Sequence, residues 1–359
     1  MTNSLGTVRI VGAGLLGTSL GLALSKLGVD VALTSHSQKS IDLAIEYGAG
    51  RAVSEGDNPS LIVVCVPPAK TAQIVAAELE AFPSAFVTDV ASVKNSVLEE
   101  LSNLGADLSR YVGSHPMAGR ERGGAIAGRA DLFVGRPWVL CATPTTKPEA
   151  TALVELVAQS VGAATVAVEA SEHDRAVALV SHVPQLISSL LAARLIGAQK
   201  SDIALAGQGL RDTTRIAASD PSLWLQILMA NSSEVLAVLK AFEVDLQALV
   251  AAIESGVEAN SAAQIVKVLE AGNLGVERIP GKHGSKHTAY AQIVVMIDDK
   301  PGELARLLTE VGYIGVNLEE LKLEHSPSAQ IGLVELYVLP EAEQKLVADL
   351  IARGWRIAG

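Results

Sequence analysis

The chain has few aromatic residues. Phe, Trp and Tyr make up 3% of it, so its cores must be built from aliphatic side chains. The abundance of Ala, Val, Leu and Gly suits buried parallel strands and Ala-rich helices. No basic block occurs and the formal net charge is −11, which argues against nucleic acid or an anionic membrane as a partner. An acidic substrate stays open, because a site needs only local arginines. Cysteine is scarce as well. Cys65 and Cys141 lie in apolar strand-like runs without CxxC spacing and read as reduced core residues of a cytosolic protein. No metal site is expected. The residues ahead of the first strand do not read as a leader, and no apolar run is expected to span a bilayer, so a cytoplasmic location is the expectation.

What the chain does have is length: 359 residues suffice for two or three domains with cores of their own. A short apolar strand over 7–11 leads into Gly12-Ala13-Gly14-Leu15-Leu16-Gly17 and an Ala/Leu-rich helix. This is GxGxxG with a strand before it and a helix after it, the context a dinucleotide requires. Gly12 permits the tight turn, Gly14 lets the backbone approach a pyrophosphate, and Gly17 allows the helix to pack closely on the strand. The N–H groups of Leu15 and Leu16 open the helix at the same place.

The second strand, 30–34, does not end in the acidic residue that grips a ribose 2′-hydroxyl. It ends in Thr34-Ser35-His36-Ser37-Gln38-Lys39. Thr34, Ser35, His36 and Lys39 can hold a 2′-phosphate, or the loop can simply cap the next helix, and NAD and NADP both stay open. Further strands are expected at 60–66, 85–90, 109–114, 138–142 and 164–168, with helices between most of them. That alternation predicts one doubly wound α/β domain over 1–170.

Chemistry concentrates after the strand at 109–114, in His115-Pro116-Met117-Ala118-Gly119-Arg120-Glu121-Arg122. A histidine at a strand's carboxyl end stands where ligands bind in open α/β sheets. Ser92, in Ala91-Ser92-Val93-Lys94, follows another strand and faces the same crevice, although it can also be a helix cap. From 171 the strand pattern stops. A helix to about 196 carries His173-Asp174 and Ser181-His182-Val183-Pro184, and Pro184 should kink or restart it. Arg211-Asp212-Thr213-Thr214-Arg215 follows, then a helix from Pro221 to about 255 bearing Trp224. The span 171–281 is read as an all-α domain of packing and dimer surface. A polar, Gly-bearing linker is expected at 282–288, and 289–359 follows the order β-α-β-β-α-β, the ferredoxin-like α+β pattern.

Taken together, the motifs resemble those of the prephenate dehydrogenase family, which includes arogenate dehydrogenases. The motifs around Ser92, His115, His182 and Arg215 occur in order with family-like spacing. The tail, with Asp299-Lys300-Pro301-Gly302 and Gly315-Val316-Asn317, resembles an ACT domain. The resemblance implies a Rossmann domain, a helical dimerisation domain and a regulatory ACT domain, in a homodimer that uses NAD or NADP. It implies that His115 is the base for the ring hydroxyl, that Ser92 orients that histidine and hydroxyl, and that Arg215 binds a substrate carboxylate. Glu121, His182 and Trp224 match pocket residues. Arg120 stands where the family commonly has a small polar residue and would add charge at the pocket mouth. Pro301, Gly302, Gly315 and Asn317 mark the turns where ACT domains bind an amino acid, here tyrosine as a feedback effector. Prephenate and arogenate both remain open as substrate.

Two other readings compete. A β-hydroxyacid dehydrogenase would place a lysine base on a Gly-rich helix of the second domain, where this chain has Gln208-Gly209-Leu210-Arg211. A dinucleotide-sensing regulator without turnover leaves Ser92, His115 and Arg215 with no shared purpose.

Overall fold

Short apolar runs buried on both faces build the central sheet. The computed structural model describes residues 5–119, 123–256, 259–279, 290–325 and 331–358. By its internal contacts the chain divides into two units, 1–243 and 244–359. The first contains β1 (Thr7–Val11), β2 (Val31–Thr34), β3 (Arg51–Ala52), β4 (Pro59–Val64), β5 (Phe86–Asp89), β6 (Tyr111–Pro116), β7 (Pro137–Cys141) and β8 (Ala164–Ala167). They lie in the order β3-β2-β1-β4-β5-β6-β7-β8. The first six reproduce the 3-2-1-4-5-6 order of a dinucleotide-binding sheet.

Helices cover both faces: α1 (Leu15–Lys26), α2 (Gln38–Glu46), α3 (Pro68–Ala81), α4 (Asn95–Asn103) and α5 (Pro148–Ser160). Strand β4 shows why its sequence lacks polar alternation. Leu61 and Val63 enter one core with Leu20, Leu24 and Val154, while Ile62 and Val64 enter the other with Val75, Val97 and Leu101. Each such side chain contributes about 1.5–3 kcal/mol when fully buried, so the strand is anchored in the cores on both faces of the sheet.

Strand pairing is parallel except between β6 and β7. That reversal changes one sequence expectation. The strand predicted to stop at Ser114 runs on to Pro116, because β7 returns antiparallel and pairs His115 with Val139 and Pro116 with Trp138. Its other neighbour, β5, ends at Asp89 opposite Gly113. Along the register Val11, Val64, Asp89 and Gly113 share one line across the sheet. His115 therefore projects two residues past that line, level with the turn that follows Val11.

Beyond the sheet, α6 (Ala170–Val177), a π turn (Ala178–His182), α7 (Val183–Ala193) and a 3-10 turn (Arg194–Gly197) form one continuous helical run. Pro184 lacks an N–H and crowds the carbonyl four residues back; the π turn just before it widens the helix at that point. By length and composition this run, Ala170–Gly197, could cross a membrane, which corrects the expectation that no segment reaches that length. Its buried side carries His173, Asp174, His182 and Gln185, and all four have hydrogen-bond partners within the first unit. Next come α8 (Lys200–Ile203), α9 (Gln208–Thr214), α10 (Pro221–Ala230), α11 (Ser232–Glu254) and α12 (Ala259–Glu277). Asp220 caps α10 by accepting from Ser222 N at 2.8 Å, with Pro221 in the first turn. The single helix expected from Pro221 to about 255 is broken at Asn231, whose side chain turns into the interior.

In the second unit, which begins within α11, β9 (Ala291–Asp298), α13 (Glu303–Ile314), β10 (Glu320–His325), β11 (Ile331–Val338), α14 (Pro340–Ala352) and β12 (Arg356–Ala358) follow the predicted β-α-β-β-α-β order. The sheet order is β10-β11-β9-β12, antiparallel throughout. Ile293, Val295 and Ile297 alternate into its core with Val334, Leu336 and Val338. The linker expected at 282–288 lies outside the described residues.

Candidate active site

The turn after β1 closes only with glycine. Gly12 has φ +112° and donates its N–H to the Thr34 carbonyl at 2.7 Å. A Cβ there would sit 2.2 Å from the Cys65 carbonyl oxygen, and one at Gly17 would sit 1.9 Å from the Gly12 oxygen. Gly14 differs: it begins α1 with no side-chain cap, and the space its Cβ would enter is empty to 4 Å. The first-turn N–H groups of Leu15, Leu16 and Gly17 thus open onto an unfilled cradle, which fits a dinucleotide pyrophosphate.

At the end of β2, Ser37 caps α2 by accepting from Ser40 N at 3.3 Å, and Ser35 Oγ accepts from Ser37 N at 3.5 Å. The capping reading of this loop is therefore realised in Ser35 and Ser37. Thr34 and Ser35 are partly buried, and His36 and Lys39 are exposed.

His115 is held from below and from the side. Beneath its strand end lies a buried polar knot. Lys94 Nζ forms an ion pair with Asp89 and donates to the Ser114 carbonyl at 2.8 Å. Tyr111 Oη donates to Asp89 at 2.5 Å, and Ala91 N donates to it at 2.8 Å. Burial, with the Asp89 carboxylate next, pushes the Tyr111 phenol well above its ordinary range. Trp138 Nε1 donates to Ser114 Oγ at 3.0 Å, and Ser114 Oγ donates to the Asp89 carbonyl at 2.6 Å. The residue ahead of His115 is thereby fixed on both its backbone and its side chain.

From the side comes α6. His115 Nδ1 lies 2.9 Å from His173 Nε2, and His173 Nδ1 lies 2.7 Å from Asp174 Oδ1. The same carboxylate accepts from Lys94 N and Asn95 N, each at 2.8 Å, and so caps α4 from a different helix. Asn231 Nδ2 donates to the Asp174 carbonyl at 2.8 Å and reaches His182 Nδ1 at 3.1 Å. Trp224 stands edge-on to His182, with ring centroids 6.1 Å apart. Burial first, then the fields of His173, Lys94 and His182, hold His115 well below its ordinary pKa of 6.5. Burial likewise lowers His182 to about 4, although Asp174 acts against it. A neutral imidazole at a strand end, with one nitrogen engaged, is the form a proton acceptor requires.

Of the residues singled out in the sequence, His115, His182 and Trp224 come together here, with the glycine turn at the same edge of the sheet. Ser92 is partly buried in the β5–α4 connection, two residues from Lys94, and its hydroxyl makes no hydrogen bond to His115. Arg215 is exposed and begins a short turn (Arg215–Ala217) packed on α7; among the described residues it makes no hydrogen bond to the histidine cluster. Arg120 and Glu121 lie outside the described residues. Sequence reasoning gave no role to His173, Asp174, Asn231 or Lys94. The available signal was a His-Asp pair at the start of a helical run whose later part is apolar.

Residues 20–167 match the nucleotide-binding domain of prephenate dehydrogenase, and residues 169–270 match its dimerization domain. The probable prephenate dehydrogenase NovF of Streptomyces niveus is 36% identical over 97% of this chain and 98% of its own length. The chain belongs to the prephenate dehydrogenase family. Among solved structures, a prephenate dehydrogenase from A. aeolicus in complex with hydroxyphenyl propionate and NAD+ is similar at TM-score 0.68 and 28% identity, covering 77% of this chain and 99% of that one. The Synechocystis arogenate dehydrogenase is similar at TM-score 0.64 and 28% identity, covering 76% and 99%. A prephenate dehydrogenase fold thus accounts for the glycine turn, the extended β6 and the helices that carry His173, His182 and Asn231.

Proposed function

We propose that this protein oxidatively decarboxylates prephenate to 4-hydroxyphenylpyruvate with NAD or NADP as oxidant, in tyrosine biosynthesis. The observation that carries the reading is the neutral His115, projecting past the sheet at the level of the dinucleotide turn. Gly12, Gly14, Leu15, Leu16 and Gly17 would hold the pyrophosphate, and Thr34, Ser35, His36 and Lys39 the adenosine ribose or its 2′-phosphate. When bound, the dinucleotide supplies the hydride acceptor.

The chain's own part is proton handling and grip. His115 accepts the proton of the ring 4-hydroxyl as the C–O bond becomes a carbonyl. Loss of the ring carboxylate as CO2 returns the electron pair to that oxygen, which takes a proton back as the ring becomes aromatic. Ser92 hydrogen-bonds the hydroxyl, Arg215 binds a carboxylate with its fixed charge and fork of donors, and His182, Trp224, Glu121 and Arg120 line the pocket. The protein acts as a homodimer through its helical domain, where Leu190, Leu225, Met229 and Phe242 present exposed apolar surface. Two free cysteines suit a cytosolic setting.

A second reading has its own support: the arogenate dehydrogenase neighbour is as similar in identity as the prephenate dehydrogenase one. Arogenate would give tyrosine directly. Steady-state kinetics with each substrate against each dinucleotide decides the assignment. Turnover of prephenate with reduction of NAD or NADP is the expected result; turnover of arogenate alone would move the assignment to the second reading, and turnover of neither would overturn both.

For the tail we propose a regulatory ACT domain that binds tyrosine. The β-α-β-β-α-β order supports it, as do the left-handed glycines at each end of α13, Gly302 at φ +92° and Gly315 at φ +77°. Pro301, Gly302, Gly315 and Asn317 would form the amino-acid site. A chain ending near Gly281 should keep turnover and lose any inhibition by tyrosine; sensitivity that survives the truncation would exclude the tail as its source.

A further inference from the structure

We propose that His173 and Asp174 form a positioning pair, which fixes His115 with its Nε2 lone pair toward the substrate and takes over the proton that His115 accepts. The inference rests on the reading of His115 as the base.

Donors and acceptors around Asp174 set where the protons lie. Asp174 receives three N–H groups: Lys94 N and His173 Nδ1 on Oδ1, and Asn95 N on Oδ2. Two of these are backbone amides that can only donate, so both oxygens act as acceptors and the group serves as a carboxylate. His173 must then carry its proton on Nδ1. A neutral His173 consequently offers a lone pair at Nε2, and the 2.9 Å contact there requires His115 to donate from Nδ1. That leaves the His115 lone pair on Nε2. This nitrogen has no hydrogen-bond partner among the described residues, nor is it among the buried unpaired atoms, which are Thr18 Oγ1, Ser188 Oγ and Trp355 Nε1. Among the described residues the base nitrogen is therefore unengaged, on a side chain that is only partly buried.

The surrounding charges then favour moving the proton inward. Lys94 sits beneath His115, with its ammonium on Asp89 and the Ser114 carbonyl, and it opposes a second positive charge on His115. His182 is kept neutral by burial and offers no countercharge. Asp174 is the carboxylate in direct contact with the histidine pair, and it touches His173. The substrate O–H breaks, its proton goes to His115 Nε2, and the Nδ1 proton of His115 passes to His173 Nε2. His173 is then an imidazolium against Asp174. When CO2 has left, the phenolate oxygen takes a proton from His115 Nε2 and the Nε2 proton of His173 returns to His115 Nδ1. The pair ends each turnover as it began, and only the dinucleotide is reduced.

The first test is spectroscopic. Two-bond nitrogen–proton correlation spectra of histidine-labelled full-length protein report which ring nitrogen is protonated, and the His115 signals are identified by their loss in His115→Asn. The expected result is His115 protonated on Nδ1 at neutral pH; a His115 protonated on Nε2 overturns the proposal. The second test is kinetic. His173→Gln keeps an acceptor for His115 but cannot take up a proton, and it should lower kcat roughly 10²-fold or more without changing the KM for prephenate or the Kd for the dinucleotide. His173→Leu, which has no acceptor, should in addition shift His115 to the Nε2-protonated form. Unchanged kcat in His173→Gln overturns the relay while leaving His115 as base. Unchanged kcat in His115→Asn would instead overturn the reading on which the relay rests. Should His173→Gln fail to fold, the tautomer of the unsubstituted protein still decides.

Discussion

The two units of this chain treat polar groups in opposite ways. Among the described residues, every buried polar or charged residue except Ser261 lies in the first unit, and 290–358 contains none. The tail places its charges at the surface, pairing Arg306 with Glu303, Arg353 with Glu310 and Arg356 with Asp298, around an aliphatic core closed by Trp355. The first unit instead buries Lys94, Asp89, His173, Asp174, His182 and Asn231 close to one strand end. Burying such groups is costly unless all are paired, and a core built from aliphatic side chains and one tryptophan exists in the same chain. The difference sets the buried cluster of the first unit apart as the place on which the proposed proton relay depends.

The largest effect should come from the base. His115→Asn is expected to fold, bind dinucleotide and lose about 10²–10⁴-fold in kcat; near-normal turnover would leave the buried cluster without a catalytic purpose. In the unsubstituted enzyme kcat/KM should stay flat as pH falls through 6.5, because His115 is held well below that value and remains neutral, and should fall only at lower pH. An acid limb near 6.5 would contradict this.

Stability comes next. Lys94→Met leaves the Asp89 carboxylate buried without its cation and should cost about 3–5 kcal/mol, read from urea midpoints. A cost below about 1 kcal/mol, the level of an exposed pair, would remove the contrast with the tail. Acid should discriminate in the same direction. His182 is lowered to about 4 in the folded state from 6.5, so the unfolded chain binds its proton first. Stability is then fully present above about 6.5 and declines as pH falls toward 4. Unfolding midpoints that are constant across that window would show His182 to be uncoupled from folding.

A smaller effect is expected for Arg215→Ala, in which loss of charge-assisted hydrogen bonds of about 1.5–3 kcal/mol should raise the substrate KM tenfold or more and spare dinucleotide affinity. An unchanged KM would move the carboxylate site elsewhere. Smallest of all, Arg353→Ala in the tail should change stability by no more than about 1 kcal/mol and leave kcat unaltered. A large loss there would mean that the surface pairs of the tail matter as much as the buried ones.

How legible these features were follows from the range of the interactions that set them. The glycine turn was readable because Gly12, Gly14 and Gly17 act within a few residues of one another. The succession of elements in the tail was readable because each is marked locally, as the alternation of Ile293, Val295 and Ile297 marks β9. By contrast, the extension of β6 to Pro116 depends on β7 pairing antiparallel, and nothing within 109–116 encodes that. His173 and Asp174 acquire meaning only when α6 is laid against the start of α4, about eighty residues earlier in the chain. Asn231 falls inside an apolar run that local propensity reads as one helix; the break there is set by two distant acceptors, the Asp174 carbonyl and His182. The length of the run 170–197 is hard to read from sequence because polar residues interrupt its apolar count on both sides, Glu172, Arg175 and Arg194 facing outward and His173, Asp174, His182 and Gln185 inward.

The π turn at 178–182 works as an offset in a screw thread. An α-helix turns about 100° per residue, so the extra residue it takes in rotates everything beyond by that angle. Before it, His173, Asp174 and Val177 point inward; Ala178 and His182, its two ends, do so too, as do Gln185 and Ser188 after it, while Leu179 and Val180 within it ride outside. With a regular turn in its place, His182 would swing away from Asn231 and Trp224, and the exposed Leu190 and Leu191 would change heading with it. One inserted residue thus sets the angle between the helix's two tasks, gripping a histidine with its first half and presenting apolar side chains outward with its second.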